Sequence, residues 1–116
     1  EKFKSAFEAA YETTKDKIFI EQSYDAAFLL ALAVEQAGSA DRTAIRDALR
    51  AVASPPGEVI EAGEWAKAKE LIAAGADINY EGVGGSLDFD DAGDVTGFFG
   101  KFIIENGSYV ETGVYQ

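Results

Sequence analysis

The stretch "FIEQSYDAAFLLALAVEQAGS", residues 19 to 39, decides the fold. From Tyr24 to Val34 its only charged residue is Asp25, and from Ala26 to Val34 it is strictly apolar. That run is well short of the roughly 20 residues a membrane-spanning helix needs. The spacing predicts a helix that begins near Ser23, with Ser23 as its N-cap, and ends at Gly38, where glycine takes the left-handed conformation that commonly closes a helix. A helix apolar almost all round is normally covered on more than one side. The rest of the chain offers few elements to cover it.

The surrounding composition narrows the choices. The chain has 116 residues, enough for one domain with a modest core. Ten Lys and Arg stand against 21 Asp and Glu, a formal charge of −11, so nucleic acid and anionic membranes are poor partners. Cysteine and histidine are both absent, which removes disulfides, thiolate nucleophiles, imidazole bases and nearly all nitrogen and sulfur metal sites. No catalytic residue, metal ligand or cofactor is therefore expected. Methionine is also absent, as is a basic-then-apolar start, so the expectation is a processed or trimmed chain.

Outward from the central helix, Phe3, Phe7, Ala10 and Tyr11 recur at helical spacing and predict an amphipathic helix over 2–13. "TTKDK" reads as a loop and "IFIE" as a short extended segment, rich in β-branched and aromatic residues. After Gly38, "DRTAIRDALRAVAS" predicts a helix capped by Asp41. Its Ile45, Ala48, Leu49 and Val52 form one stripe, with Arg42, Arg46 and Arg50 on the wet face. "SPPGE" breaks the chain. "GEWAKAKELIAAG" is a further helix, turning Trp65, Ala68, Leu71 and Ile72 inward and ending at Gly75. From Asp77 the chain reads as glycine-rich and turn-rich, until Asn106-Gly107 signals a hairpin of two antiparallel strands.

The motifs with chemical possibilities mostly have plainer readings. "DFDDAGD" is rich in oxygen ligands, but the fifth position after Asp88 is Ala92 and the twelfth is Phe99, so an aspartate-capped turn explains it better than a calcium loop. "GVGG" lacks the Lys-Ser or Lys-Thr of a phosphate cradle and reads as a turn. Glu58, Glu61 and Glu64 read as solvated charges, since no apolar pocket is evident to raise a pKa. Of the large aromatics, Phe28, Phe98, Phe99 and Phe102 are expected in the core by composition. Phe19 and Tyr24 differ, because they flank a strand-to-helix junction, where α/β sheets place ligand pockets.

In order, "SYDAAFLLALAVEQAGSADRTAIRDALRAVA", "PPGE", "LIAAGADINYEGVGGSLDFDDAGDVTG" and "FIIENGSYV" closely resemble the C-terminal part of periplasmic substrate-binding proteins of the branched-chain amino acid (leucine/isoleucine/valine) ABC transporter family. The resemblance covers essentially the whole chain and implies a type I periplasmic binding protein, two α/β lobes closing on an amino-acid-like ligand. Residues 1–116 would be its C-terminal fragment, α+β when taken alone, with about four helices and a C-terminal antiparallel hairpin. The resemblance further implies that the apolar helix lies against a sheet supplied by the rest of such a protein.

It also implies the function: a non-enzymatic, periplasmic solute receptor that takes up an amino acid or related small carboxylate and delivers it to an ABC permease in the inner membrane. Phe19 matches the family's aromatic contact to the ligand side chain, and Glu21 and Tyr24 fall near the same rim. Glu21 suits a polar or cationic ligand, although facing water is the simpler reading. Two rivals stay open: an acidic calcium-binding or protein-interaction module, and a small enzyme working through carboxylates alone. The fragment's apolar faces also invite dimerisation or segment exchange.

Overall fold

The computed structural model describes residues 2–11, 13 and 18–115. Its elements are α1 (Lys2–Tyr11), α2 (Ile20–Ala37), α3 (Arg42–Ala53), β1 (Glu58–Ile60), α4 (Trp65–Ala73), β2 (Ile78–Gly82), β3 (Gly85–Ser86), β4 (Phe99–Glu105) and β5 (Ser108–Tyr115). The four helices and the terminal β4–β5 hairpin are those expected from the sequence. Most of the expected "TTKDK" loop lies outside the described residues, as does Glu12 in the expected first helix.

The core forms where α2 and α3 pack on one another and on β2, with α4 completing it. Leu29, Leu32 and Ala33 of α2 meet Ala48, Val52 and Ala53 of α3, Ala68 of α4, Ile60 of β1 and Ile78 and Tyr80 of β2, all buried. The α3 stripe falls as its spacing predicts: Ala48 and Val52 are buried, while Ile45 and Leu49 pack against the core's edge. Asp41 caps this helix, its carboxylate accepting from the Thr43 and Ala44 N–H at 3.1 and 3.0 Å. On the opposite face, Arg42, Arg46 and Arg50 are exposed. Trp65, Leu71 and Ile72 lean on the core from α4.

The structure corrects several expectations. "IFIE" is not extended: Phe19 sits in the left-handed region at φ 60°, and Ile20 and Glu21 already belong to α2, whose first turn closes through Ser23 N–H to the Phe19 carbonyl at 2.9 Å. Composition favoured a strand, but among the described residues no strand pairs with it, and backbone groups without a ladder partner are satisfied by helix instead. For the same reason Ser23 is no N-cap; it lies inside the helix, which starts without a side-chain cap. Two strands were not expected: β1, which starts at the end of the "SPPGE" break, and β2, in the segment read as turn-rich, pair in parallel from Glu58↔Ile78 to Ile60↔Tyr80 with α4 crossing between them. Phe98, Phe99 and Phe102 are exposed rather than core.

Two apolar surfaces are left open. Along α2, Ala26, Ala27, Leu30 and Val34 face solvent. In the hairpin, Asn106 and Gly107 adopt positive φ of 51° and 78°, the tight turn their sequence signals. Its strands expose Phe99, Phe102, Ile104, Tyr109, Val114 and Tyr115. A two-stranded ribbon is marginal by itself, so these side chains mark a sheet short of its cover.

Asp25 explains how so apolar a helix carries a charge. It is 2% exposed, and its carboxylate accepts from the Tyr80 hydroxyl at 2.8 Å, the Val83 N–H at 2.8 Å and the Gly84 N–H at 2.7 Å. A buried carboxylate is tolerable only when hydrogen-bonded in this way. The turn must come close to do it: a Cβ on Gly82 would stand 2.6 Å from Asp25 Oδ2 and 2.8 Å from the Gly85 carbonyl oxygen. Burial foremost, and the hydrogen bond to Asp25 next, push the Tyr80 hydroxyl far above the ordinary phenol range, so it remains a proton donor.

The acidic loop is organised by one residue as well. Asp90 Oδ1 accepts from the Ala92, Gly93 and Asp94 N–H at 2.8, 2.9 and 2.9 Å, an aspartate turn that accounts for "DFDDAGD". Arg50 donates to the Asp90 carbonyl and stands 5.9 Å over the Phe89 ring, tying the loop to α3.

Asp25→Ala should cost about 2–4 kcal/mol in urea unfolding, because it orphans the buried Tyr80 hydroxyl and two backbone donors. Gly82→Ala should be destabilising too, by less when Asp25 is already alanine. Full additivity in that cycle would disprove the latch. Backbone hydrogen bonds, that of Asp94 first and those of Ala92 and Gly93 after it, together with the Arg50 charge, hold the Asp90 carboxyl below its ordinary 3.8 against the opposing effect of desolvation. A depressed folded-state value means that Asp90 stabilises the loop above the unfolded-state pKa and that this is lost as pH falls through the folded value. NMR titration should place its midpoint below that of an exposed aspartate; a normal midpoint would refute the turn's hold.

Candidate functional site

The entry to α2 combines a left-handed residue with an open cleft. A left-handed φ is costly for a bulky residue, of order 1–2 kcal/mol, and such outliers cluster at binding and switch sites. Phe19 adopts it while 66% exposed, so no burial of its ring compensates. Beside this junction opens a cleft of about 700 Å3, lined by Phe3, Phe7 and Tyr11 of α1 and by Ile18, Ile20 and Tyr24 at the start of α2. That volume lies within the usual range for small-molecule sites, as does the largely apolar lining.

The aromatic side chains form a continuous series. Tyr11 lies 4.9 Å from Phe7, Phe7 6.0 Å from Phe3, and Phe3 4.9 Å from Tyr24, centroid to centroid. Tyr24 stacks on Phe28 at 5.7 Å, and Phe28 on Tyr80 at 4.9 Å, with Trp65 at its edge. Tyr80 in turn donates to Asp25. The cleft wall is thus continuous, ring by ring, with the core and with the buried carboxylate.

A smaller recess of about 250 Å3 adjoins the cleft, sharing Lys2, Phe3 and Ala62 with it and adding Glu61, Glu81, Gly82 and Val83. The Glu81 carboxylate accepts from the Asn79 side-chain amide at 3.1 Å. Glu64 accepts from the Glu61 N–H at 2.9 Å, and Glu58 pairs with Lys67 at 3.1 Å. Glu58 and Glu64 are therefore engaged in local bonds. Among the described residues, no group of three or more acidic side chains is placed to hold a metal ion.

Of the residues singled out in the sequence, Tyr24 lines the cleft. Phe19 stands exposed at the junction, and Glu21 is half-buried in the same first turn of α2; neither contributes to the cleft wall. Lys2, Phe3, Phe7, Glu61 and Glu81 were not singled out as site residues. The amphipathic pattern of α1 places Phe3 and Phe7 on one face, but nothing local says what that face meets. Asp25 did leave a signal: a lone acid in an apolar run is a buried charge in need of donors.

The comparisons with known proteins agree with this architecture. The model of the family described as receptor family ligand binding region matches residues 1–99. The chain is also similar to the chemotactic signal transduction system substrate-binding protein BasB of Halobacterium salinarum, 33% identical over 100 residues. That alignment covers 85% of this chain and 24% of BasB, so the chain spans about a quarter of its relative's length. No solved structure matches. A family match running from α1 through the acidic loop, over a fold whose helices, parallel β1–β2 pair and hairpin suit a piece of such a receptor, places this chain in the receptor ligand-binding-region family.

Proposed function

We propose that residues 1–116 form the C-terminal part of a two-lobed, extracytoplasmic solute receptor, periplasmic and non-enzymatic. It takes an amino acid of the branched-chain type or a related small carboxylate and presents it to an ABC permease in the inner membrane. The observation that carries this reading is the apolar cleft beside the strained Phe19 junction, where Tyr24 forms part of the wall. In this reading Phe19 and Glu21, which do not line the cleft of this chain, would meet the ligand at its rim once a second lobe brings its own contacts. The open faces of α2 and of the hairpin support the same reading, since a larger molecule would cover them.

The mechanism is a shift in a hinge equilibrium. A ligand that touches both lobes binds the closed form better than the open one, and only that difference drives closure. The recipient then reads the closed shape. The name of BasB favours a second recipient, a chemotactic signalling partner in place of a permease. Both readings share the capture step and differ in what docks afterwards.

Thermal-shift measurements on the full-length protein carrying this chain should show one or a few amino acids or small carboxylates raising its Tm by several degrees. Ligand at a hundred times Kd adds about 2.7 kcal/mol of stability. No response to any of them would sink the proposal. Phe19→Gly relieves the left-handed strain and removes the rim aromatic, so Tm of the free protein should rise while ligand affinity falls at least about tenfold. Unchanged affinity would remove Phe19 from the site.

A further inference from the structure

The cleft and its adjoining recess differ in chemistry in a way that specifies a ligand. Four aromatic rings, of Phe3, Phe7, Tyr11 and Tyr24, line the larger cavity, and each lies within 6.0 Å of the next. Glu61 and Glu81 line the smaller recess, and Lys2 borders both cavities. Among the described residues, Lys2, Glu61 and Glu81 enter no ion pair with another protein group. Opposite charges outside any protein ion pair, Glu81 holding only the Asn79 amide, stand at the junction of an apolar chamber and a polar one and suit a ligand that carries both charges on one apolar body.

We propose that the two cavities form one site for a zwitterion with an aromatic side chain. Its ring lies against Phe3, Phe7 and Tyr24 and extends the aromatic series, its carboxylate meets Lys2, and its ammonium meets Glu61 and Glu81. The inference rests on the capture of a small solute by the receptor proposed above, and in place of a branched-chain side chain it names an aromatic one and the residues that select it. Ring-on-ring contact adds to what apolar burial alone supplies, so the site prefers an aromatic over an aliphatic side chain of similar size.

Calorimetric titration of the full-length protein with L-phenylalanine, L-leucine, 3-phenylpropionate and 2-phenylethylamine tests this. L-Phenylalanine should bind at least about tenfold tighter than each of the other three. Phe7→Leu keeps apolar bulk and removes a ring, so it should bring the phenylalanine-to-leucine ratio close to one, a change that mere loosening of α1 would not produce because it would weaken both ligands alike. Lys2→Gln should weaken L-phenylalanine and 3-phenylpropionate but leave 2-phenylethylamine unchanged.

Leucine binding as tightly as phenylalanine would overturn the aromatic assignment and leave the receptor reading intact. Equal binding of 3-phenylpropionate or 2-phenylethylamine would overturn the head-group assignment. Failure of all four, when another small solute still stabilises the protein, would overturn this inference alone; silence across the whole solute panel would overturn the receptor reading with it.

Discussion

A single buried carboxylate organises this chain. Asp25 takes hydrogen bonds from Tyr80 on β2 and from the backbone of Val83 and Gly84 in the following turn, and so fastens the start of α2 to the end of the sheet. Burying a charge costs free energy that only such bonds offset. The bonds in turn demand a turn with little side-chain bulk, since Gly82 approaches the carboxylate too closely for a Cβ. The apolar helix, the buried tyrosine and the glycine-rich turn are parts of one arrangement.

The same arrangement places the rim of the cleft. Phe28 stacks between Tyr24 and Tyr80, so the strand that holds Asp25 also supports the ring that lines the cavity. Phe19 begins the helix in a conformation its side chain disfavours. Backbone strain persists only where surrounding structure over-determines it, and here α2 is held by the core along Leu29, Leu32 and Ala33 while Asp25 anchors its second turn.

Acidity and exposed apolar surface divide the molecule. The hairpin region from Phe98 onward carries only Lys101, Glu105 and Glu111 as charged residues, while nearly all the negative charge lies before it. The hairpin is thus the surface where association with further protein would meet least electrostatic opposition. Membership of a receptor ligand-binding-region family, with a relative about four times the length of the aligned stretch, is in keeping with surfaces of this kind.

Local chemistry was legible in the residues themselves. Asp41 at the head of α3, Gly38 and Gly75 after their helices, and Asn106-Gly107 in the hairpin turn act within a few residues, so their conformations follow from side-chain reach and allowed φ. Strand identity was not legible for "IFIE" or for β1 and β2. A strand exists only where a partner does, and the β1–β2 pairing joins residues 20 positions apart, as Glu58↔Ile78 shows. Tyr24, singled out because it flanks an expected strand-to-helix junction, does line the cleft, although no strand precedes α2 among the described residues. The roles of Asp25, Lys2, Phe3 and Glu81 depend on long-range contacts that no local pattern encodes. The sequence by itself determined that the helices exist, the Asp41 cap, the glycine-marked helix ends and the hairpin turn, because those depend on near neighbours. Only the tertiary structure decided which charge is buried, which rings line the cleft and which apolar faces stay open, because burial is a property of what packs against a residue and not of the residue alone.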